Sequence, residues 1–342
     1  MNKKIIFFSI DRLGDYLIRS QIIKDISENY TSNEIICSEK NYKLISKQKF
    51  FNNVVLFENR NKIFNKIKFL YKYFLKKYDT VISLDGKNIS YFLLILIRSK
   101  NKFTVIYRKK GLINYLNFIF VKFIFNLLNI KFDILNSRNI IEKGNYDNYP
   151  LKYKFLKKFY KNINEDIYYL EKSNKNIFSE FDNKFIVIHL DEKFNDIKNI
   201  DYEFKNSLIN FQKKINKKIF LTSFNNNHKY YENLNLIKKD FKNLNKDLLN
   251  QKKVLVIENI PIMDFQTMLL HSNNNISCHS GYFVHTSLAL GKNTIDIINE
   301  KDEIWLQSWL LKPENYKIIY KSRINYSNNI NTILDEIKKQ YQ

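Results

Sequence analysis

The sequence predicts an α/β protein built as two successive domains, each a set of parallel strands wrapped by helices. Three observations carry that expectation. Short apolar runs alternate with segments of helical period in both halves of the chain. A length of 342 residues exceeds what one hydrophobic core ordinarily serves. From about residue 131 to 180 the strand pattern lapses, amid Pro150 and many Asn and Lys, as a connection between domains would.

The alternation starts at once. Lys4–Ile10 reads as a strand and Gly14–Asn29 as a helix, followed by a strand at Glu34–Cys37, a short helix at Tyr42–Lys47 and a strand at Val54–Phe57. Ile63–Lys77 is helical, with apolar Ile63, Ile67, Leu70 and Phe74 at helical spacing and lysines between. Thr80–Leu84 and Phe103–Tyr107 read as strands around a helix at Ile89–Arg98. In the lapsed region only Tyr153–Tyr160 looks helical. The pattern resumes with strands at Phe185–His189, Ile219–Thr222, Val254–Ile257, Asn275–Cys278, Thr294–Ile298 and Tyr316–Tyr320. Helices are expected at Phe204–Lys214, Asp264–His271, from Gly281 to a stop at Gly291, and from Ile330 to Tyr341. The expected partition is a first domain over residues 1–160, a linker over 161–183, a second domain over 184–325 and a final helix in 326–342.

Composition limits the functional classes. The net charge is +23, from 57 Lys and Arg against 34 Asp and Glu, which suits nucleic acid, anionic membrane or anionic substrates. The chain is also rich in Lys, Asn, Ile, Phe and Tyr and holds only 6 Gly and 3 Pro, a drift that places much of the excess charge on solvated surface. Cys37 and Cys278 end strands in different halves, so neither a disulfide framework nor a cysteine zinc site is expected, and a reducing cytoplasm fits. The apolar start is too short before Asp11 and Arg12 for a signal peptide. The longest apolar stretch, residues 112–130, is interrupted by Asn114, Asn117, Lys122, Asn126 and Asn129 and falls short of a membrane span. Residues 62–77 and 108–131 nevertheless wind into helices with an apolar side fringed by lysine, the form of a core-facing helix with a solvated lysine face or of one suited to an anionic leaflet.

Two strand–turn–helix joints carry chemistry. In Ser9-Ile10-Asp11-Arg12-Leu13-Gly14-Asp15-Tyr16, Gly14 permits a tight turn and Asp15 opens the helix, as a cap or as a general base. In the stretch from Asn275 to Gly291, the turn His279-Ser280-Gly281 leaves the N–H groups of Tyr282 and Phe283 at a helix start, a natural phosphate site. No Asp-x-Asp pair follows a strand, and His271, His279 and His285 lack metal-ligand spacing, so no metal is expected.

Four motifs together resemble glycosyltransferase family 9, the heptosyltransferase-like enzymes. They are the strand–Asp-Arg-Leu-Gly-Asp–helix opening, Tyr78–Lys87, Phe185–Lys193 and the Cys278–Gly291 turn and helix, in the family's order over roughly residues 3–320. The resemblance implies the GT-B fold: two Rossmann-like domains whose parallel sheets face a central cleft, acceptor held by the first and nucleotide sugar by the second. It further implies that the last helix crosses back to the N-terminal domain. Asp15 matches the family's base. Donor contacts would come from Glu192, Lys193, His279, Ser280, Gly281 and the N–H group of Tyr282, while His285 touches donor or merely packs. Arg12 and Lys198 would be further cations, and Glu300 a ribose or base contact. Arg12 and Asp85 would lie on the acceptor side, Asp85 at the cleft rim or equally as a turn-former, while His189 simply ends a strand.

The chain departs from the family at His279, where an aspartate is usual, and by one extra residue between Gly281 and His285. The implied reaction is inverting, metal-independent and cofactor-free transfer of heptose or another sugar from a nucleotide-diphosphate donor. Its acceptor would be a lipopolysaccharide, another surface glycan or an oligosaccharide. The implied place is the cytoplasm, peripheral to the inner face of the cytoplasmic membrane. A nucleotide-sugar epimerase of the same architecture is the alternative enzyme. Nucleic-acid binding is disfavoured, since the lysines are dispersed and no zinc-finger or ribonucleoprotein pattern occurs.

Overall fold

A computed structural model describes residues 3–57, 63–136, 153–164, 168–171, 175–190, 200–223, 236–278, 281–310, 314–321 and 330–339. The chain divides into two compact units, Met1–Glu171 with Ile304–Leu311, and Lys172–Glu303 with Lys312–Gln342.

The first unit holds strands β1 (Lys4–Ser9), β2 (Ser32–Ser38), β3 (Asn53–Phe57), β4 (Lys77–Ser83), β5 (Arg98–Arg108) and β6 (Lys131–Asn136). Its helices are α1 (Leu13–Ser27), α2 (Glu39–Ile45), α3 (Ile63–Phe74), α4 (Asn88–Leu96) and α5 (Leu112–Leu127). All pairings are parallel, in the order β3-β2-β1-β4-β5-β6. Strand β1 is apolar on both faces because both are covered. Ile6 and Phe8 join the core formed with α3, α4 and α5, while Ile5 and Phe7 on the opposite face are equally buried.

The second unit holds β7 (Phe185–His189), β8 (Lys218–Thr222), β9 (Lys238–Asp240), β10 (Val254–Glu258), β11 (Asn274–Ser277), β12 (Asn293–Ile298) and β13 (Tyr316–Tyr320). Helices α6 (Ile200–Ile215), α7 (Lys246–Gln251), α8 (Ile262–His271), α9 (Gly281–Ala289) and α11 (Ile330–Lys339) belong to it, and α10 (Glu303–Gln307) falls where the chain leaves it. The sheet is again parallel, in the order β13-β12-β11-β7-β8-β10-β9.

The structure revises three expectations. Strands β6 and β9 are missing from the expectation: β6 falls in the stretch read as a lapse although it carries Phe132, Ile134 and Leu135, and β9 is a short polar edge strand, Lys238, Lys239 and Asp240. The described part of the expected linker is docked structure. Asn164 and Tyr169 donate backbone N–H groups to Asp25 and Ser20 of α1, at 2.7 and 2.8 Å, and buried Phe178 packs on Phe185 and Phe220. The last helix, expected to reach back toward the first domain, buries its apolar face within its own unit. Ile330, Ile333, Leu334 and Ile337 enter the second unit's core beside Phe204, Leu208 and Phe211 of α6. Apolar residues at such helical spacing make one stripe, and α6 offers the matching surface.

Candidate active site

In a doubly wound sheet, ligands bind beyond the carboxyl ends of the strands where the order reverses. In the first unit that point lies between β1 and β4. Beyond it sits a polar cluster inside an otherwise apolar core. Asp11 is buried, and its Oδ2 takes a 2.6 Å ion pair from Arg19, itself 1% exposed. The other oxygen of Asp11 accepts from the Ser9 hydroxyl at 3.1 Å and the Asn41 amide at 3.3 Å. Arg19 also donates to Ser9 at 3.2 Å. The pairing is what makes either charge tolerable there, because an isolated buried ion would be strongly disfavoured.

Asp15 sits one helical turn from Arg19, in the first turn of α1, and is only half-buried. It accepts the Arg12 backbone N–H in a long 3.4 Å hydrogen bond, so its capping role is present but weak. Burial raises its pKa to about 6, reinforced by the negative charge of Asp11; Arg19, the Arg12 N–H and Lys87 pull the other way. A carboxylate so poised exchanges its proton near neutral pH. Arg12 is exposed beside it.

Asp85, expected on the acceptor side, is 3% exposed and fully engaged by the protein. It accepts from the Ile10 N–H at 2.9 Å, Ser90 at 2.7 Å, the Lys87 N–H at 3.1 Å and Ser83 at 3.2 Å. Its carboxyl is held above the usual range by burial and by Asp11. Asp85 therefore ties the end of β1 to the turn before α4, and Gly86 completes that turn. Gly86 adopts φ +60, and a Cβ there would overlap the Tyr107 ring.

The second unit's switch point lies between β7 and β11, where His189 pairs in register with Ser277. His189 is 1% exposed, with Nδ1 2.9 Å from the Thr222 hydroxyl and its ring stacked at 5.1 Å on Phe283. It is a packed core histidine at a strand end. Helix α9 is anchored by Asn275, whose amide donates to Ser287 at 2.8 Å, and Ser287 bonds Thr294 of β12 at 2.7 Å. This network ties α9 to β11 and β12.

At the start of α9, Gly281 is not among the glycines with positive φ, and no described atom lies within 4 Å of a Cβ placed on it. Tyr282, expected to contribute its backbone N–H, and His285, expected to touch donor or to pack, both have buried side chains. The Tyr282 hydroxyl accepts from Gln266 at 3.3 Å, and burial holds its pKa above the usual phenol value. What α9 can offer is its backbone. Gly291 stops the helix as anticipated, at φ +68, with the Lys292 N–H returning to Ser287. Glu300 is exposed after β12. Glu192, Lys193, Lys198, His279 and Ser280 lie outside the described residues. Among the described residues no group of three or more His, Cys, Asp or Glu is arranged to hold a metal.

Sequence reading singles out Asp15 but overlooks Arg19, Asn41 and Lys87. A signal was there. Positions 11, 15 and 19 follow at intervals of one helical turn, which places Asp15 and Arg19 on one helix face with Asp11 at its foot. An arginine on the buried side of α1 needs such a partner.

No protein-family model and no curated protein matches the chain. Among solved structures it is similar to a glycosyl transferase family 9 protein from Veillonella parvula, with a TM-score of 0.66 and 10% identity over 99% of this chain and 96% of that one. It is similar to the E. coli heptosyltransferase WaaC with ADP, with a TM-score of 0.62 and 13% identity over 99% and 98% of the two chains. A proposed UDP-N-acetylglucosamine 2-epimerase from Listeria monocytogenes aligns with a TM-score of 0.50 and 11% identity over 100% and 89%. At such identities the likeness establishes the architecture. This is a GT-B-fold protein, two Rossmann-like units as the four motifs implied.

Proposed function

We propose that the protein is an inverting sugar transferase of the family 9 type, acting without a metal on a nucleotide-diphosphate sugar. The carrying observation is Asp15, a carboxylate with pKa about 6 held beside the Asp11–Arg19 pair at the first unit's switch point. In the reaction, Asp15 takes the proton of an acceptor hydroxyl as that oxygen bonds to the anomeric carbon. The bond from that carbon to the diphosphate breaks, and its electron pair leaves with the nucleotide diphosphate. The growing negative charge needs positive partners. The start of α9 supplies backbone N–H groups, and Lys193, Lys198 or Arg12 would supply a cation. Heptose fits as the sugar, because the E. coli neighbour is a heptosyltransferase with ADP. A lipopolysaccharide or other surface-glycan acceptor puts the work at the inner face of the cytoplasmic membrane.

The test is turnover. Purified protein offered a panel of nucleotide sugars and acceptors should transfer from at least one, and Asp15→Ala should abolish transfer while leaving donor binding intact. Equal transfer by both proteins would remove Asp15 as the base. The epimerase reading rests on the weaker Listeria likeness. Incubation of donor without acceptor separates the two, since only an epimerase converts the free donor sugar.

A further inference from the structure

Helix α5 is apolar on two opposite sides. Its inner side, Phe118, Val121, Ile124 and buried Phe125, packs on the core of the first unit. On the other side Leu112, Leu116, Ile119, Phe120, Phe123 and Leu127 are all exposed, Phe120 and Phe123 each 62%. Wound as a helix, these residues fall within roughly a third of the circumference, a continuous stripe about 24 Å long. Isolated exposed leucines need no explanation, but a stripe of this size does.

Charge identifies what covers it. From Gly86 to Phe132 the chain contains no Asp or Glu, while Arg108, Lys109 and Lys110 precede the helix and Lys122 edges it. All of these basic residues are exposed. A second copy of a chain with net charge +23 would bring these cations against their own kind. An anionic bilayer answers both features, with acyl chains for the stripe and headgroup phosphates for the cations. The helix lies on such a surface rather than through it, since no described helix is long and apolar enough to cross a membrane.

We infer that α5 is a monotopic membrane anchor, seating its Leu112–Leu127 stripe at the headgroup–acyl boundary of an anionic leaflet. The inference deepens the membrane placement proposed above by naming the element that makes contact. Its test requires no sugar transfer, so the two can fail separately.

The full chain is sedimented with vesicles of phosphatidylcholine alone or mixed with phosphatidylglycerol, with transfer to a water-soluble acceptor measured alongside. Wild type should partition to the mixed vesicles, and added salt should weaken it. Phe120→Ser with Phe123→Ser should lower partitioning by at least about tenfold. Soluble-acceptor transfer and thermal midpoint should not change, since both side chains already face outward. Lys109→Gln with Lys110→Gln and Lys122→Gln should lower the preference for phosphatidylglycerol. The inference is overturned if wild type ignores the mixed vesicles or if the phenylalanine variant partitions equally. It is also overturned if lipid-free wild type forms a dimer that this variant abolishes, since α5 would then be a protein interface.

Discussion

Asp15 owes its poised carboxyl to neighbours that need not touch a substrate. The buried Asp11–Arg19 pair fixes two charges near it, and burial with the Asp11 charge outweighs the pull of Arg19 and Lys87. An acid raised from 3.8 to about 6 binds more protons folded than unfolded between those values. Ionised Asp15 therefore costs the fold stability above pH 6, and this cost disappears as pH falls toward 3.8. Two outcomes follow for the proposed base. The acid limb of kcat/KM should lie near pH 6 rather than in the ordinary carboxylate range, as a pH–rate profile would show. Asp15→Asn should lose about a hundredfold or more in kcat, yet be more stable than wild type at alkaline pH by on the order of 1 kcal/mol. An acid limb in the ordinary range with unchanged stability would mean that Asp15 is a common surface acid.

At the scale of elements, the turn between β4 and α4 shows how one backbone position controls a site. Asp85 gathers donors from β4, α4 and the end of β1, and Gly86 lets the chain reverse against Tyr107. Gly86→Ala combines a left-handed conformation with a clash and should destabilise the protein by about 2–3 kcal/mol. In a Tyr107→Ala background the same change should cost only about 1 kcal/mol, the conformational part. Denaturant melts of wild type, both single variants and the double variant measure the difference, and equal costs in both backgrounds would deny the steric contact. The Asp-Gly turn is plain in the sequence. That Tyr107 lies against it is not, because the two meet only through pairing of β4 with β5. Likewise β9 exists through hydrogen bonding to β10 rather than through an apolar pattern of its own.

At the scale of the whole molecule, each unit carries its own switch point, and the two offer different chemistry: a poised carboxylate in the first, a helix start at the strand ends in the second. If the proposed donor site exists, a nucleotide diphosphate that binds the folded chain alone should raise its apparent stability. A thermal scan against ADP, GDP, UDP and CDP should show one clear stabiliser, worth about 2.7 kcal/mol at a hundredfold excess over Kd. No shift with any of them would deny the donor site.

The order of apolar runs and helical stretches determined by itself that this is a parallel α/β protein in two parts, and the Asp-Arg-Leu-Gly-Asp opening marked Asp15 as a helix cap or a general base. Pattern suffices there because a strand covered on both faces must be apolar, and a site residue in such a fold follows a strand end. Tertiary structure decided the rest. It surrounded Asp85 with protein donors, buried Tyr282 and His285, drew the last helix into the second unit's core, and left α5 with an apolar side uncovered. Those outcomes depend on which faces meet, and contacts between residues far apart in sequence leave no periodic trace in the chain.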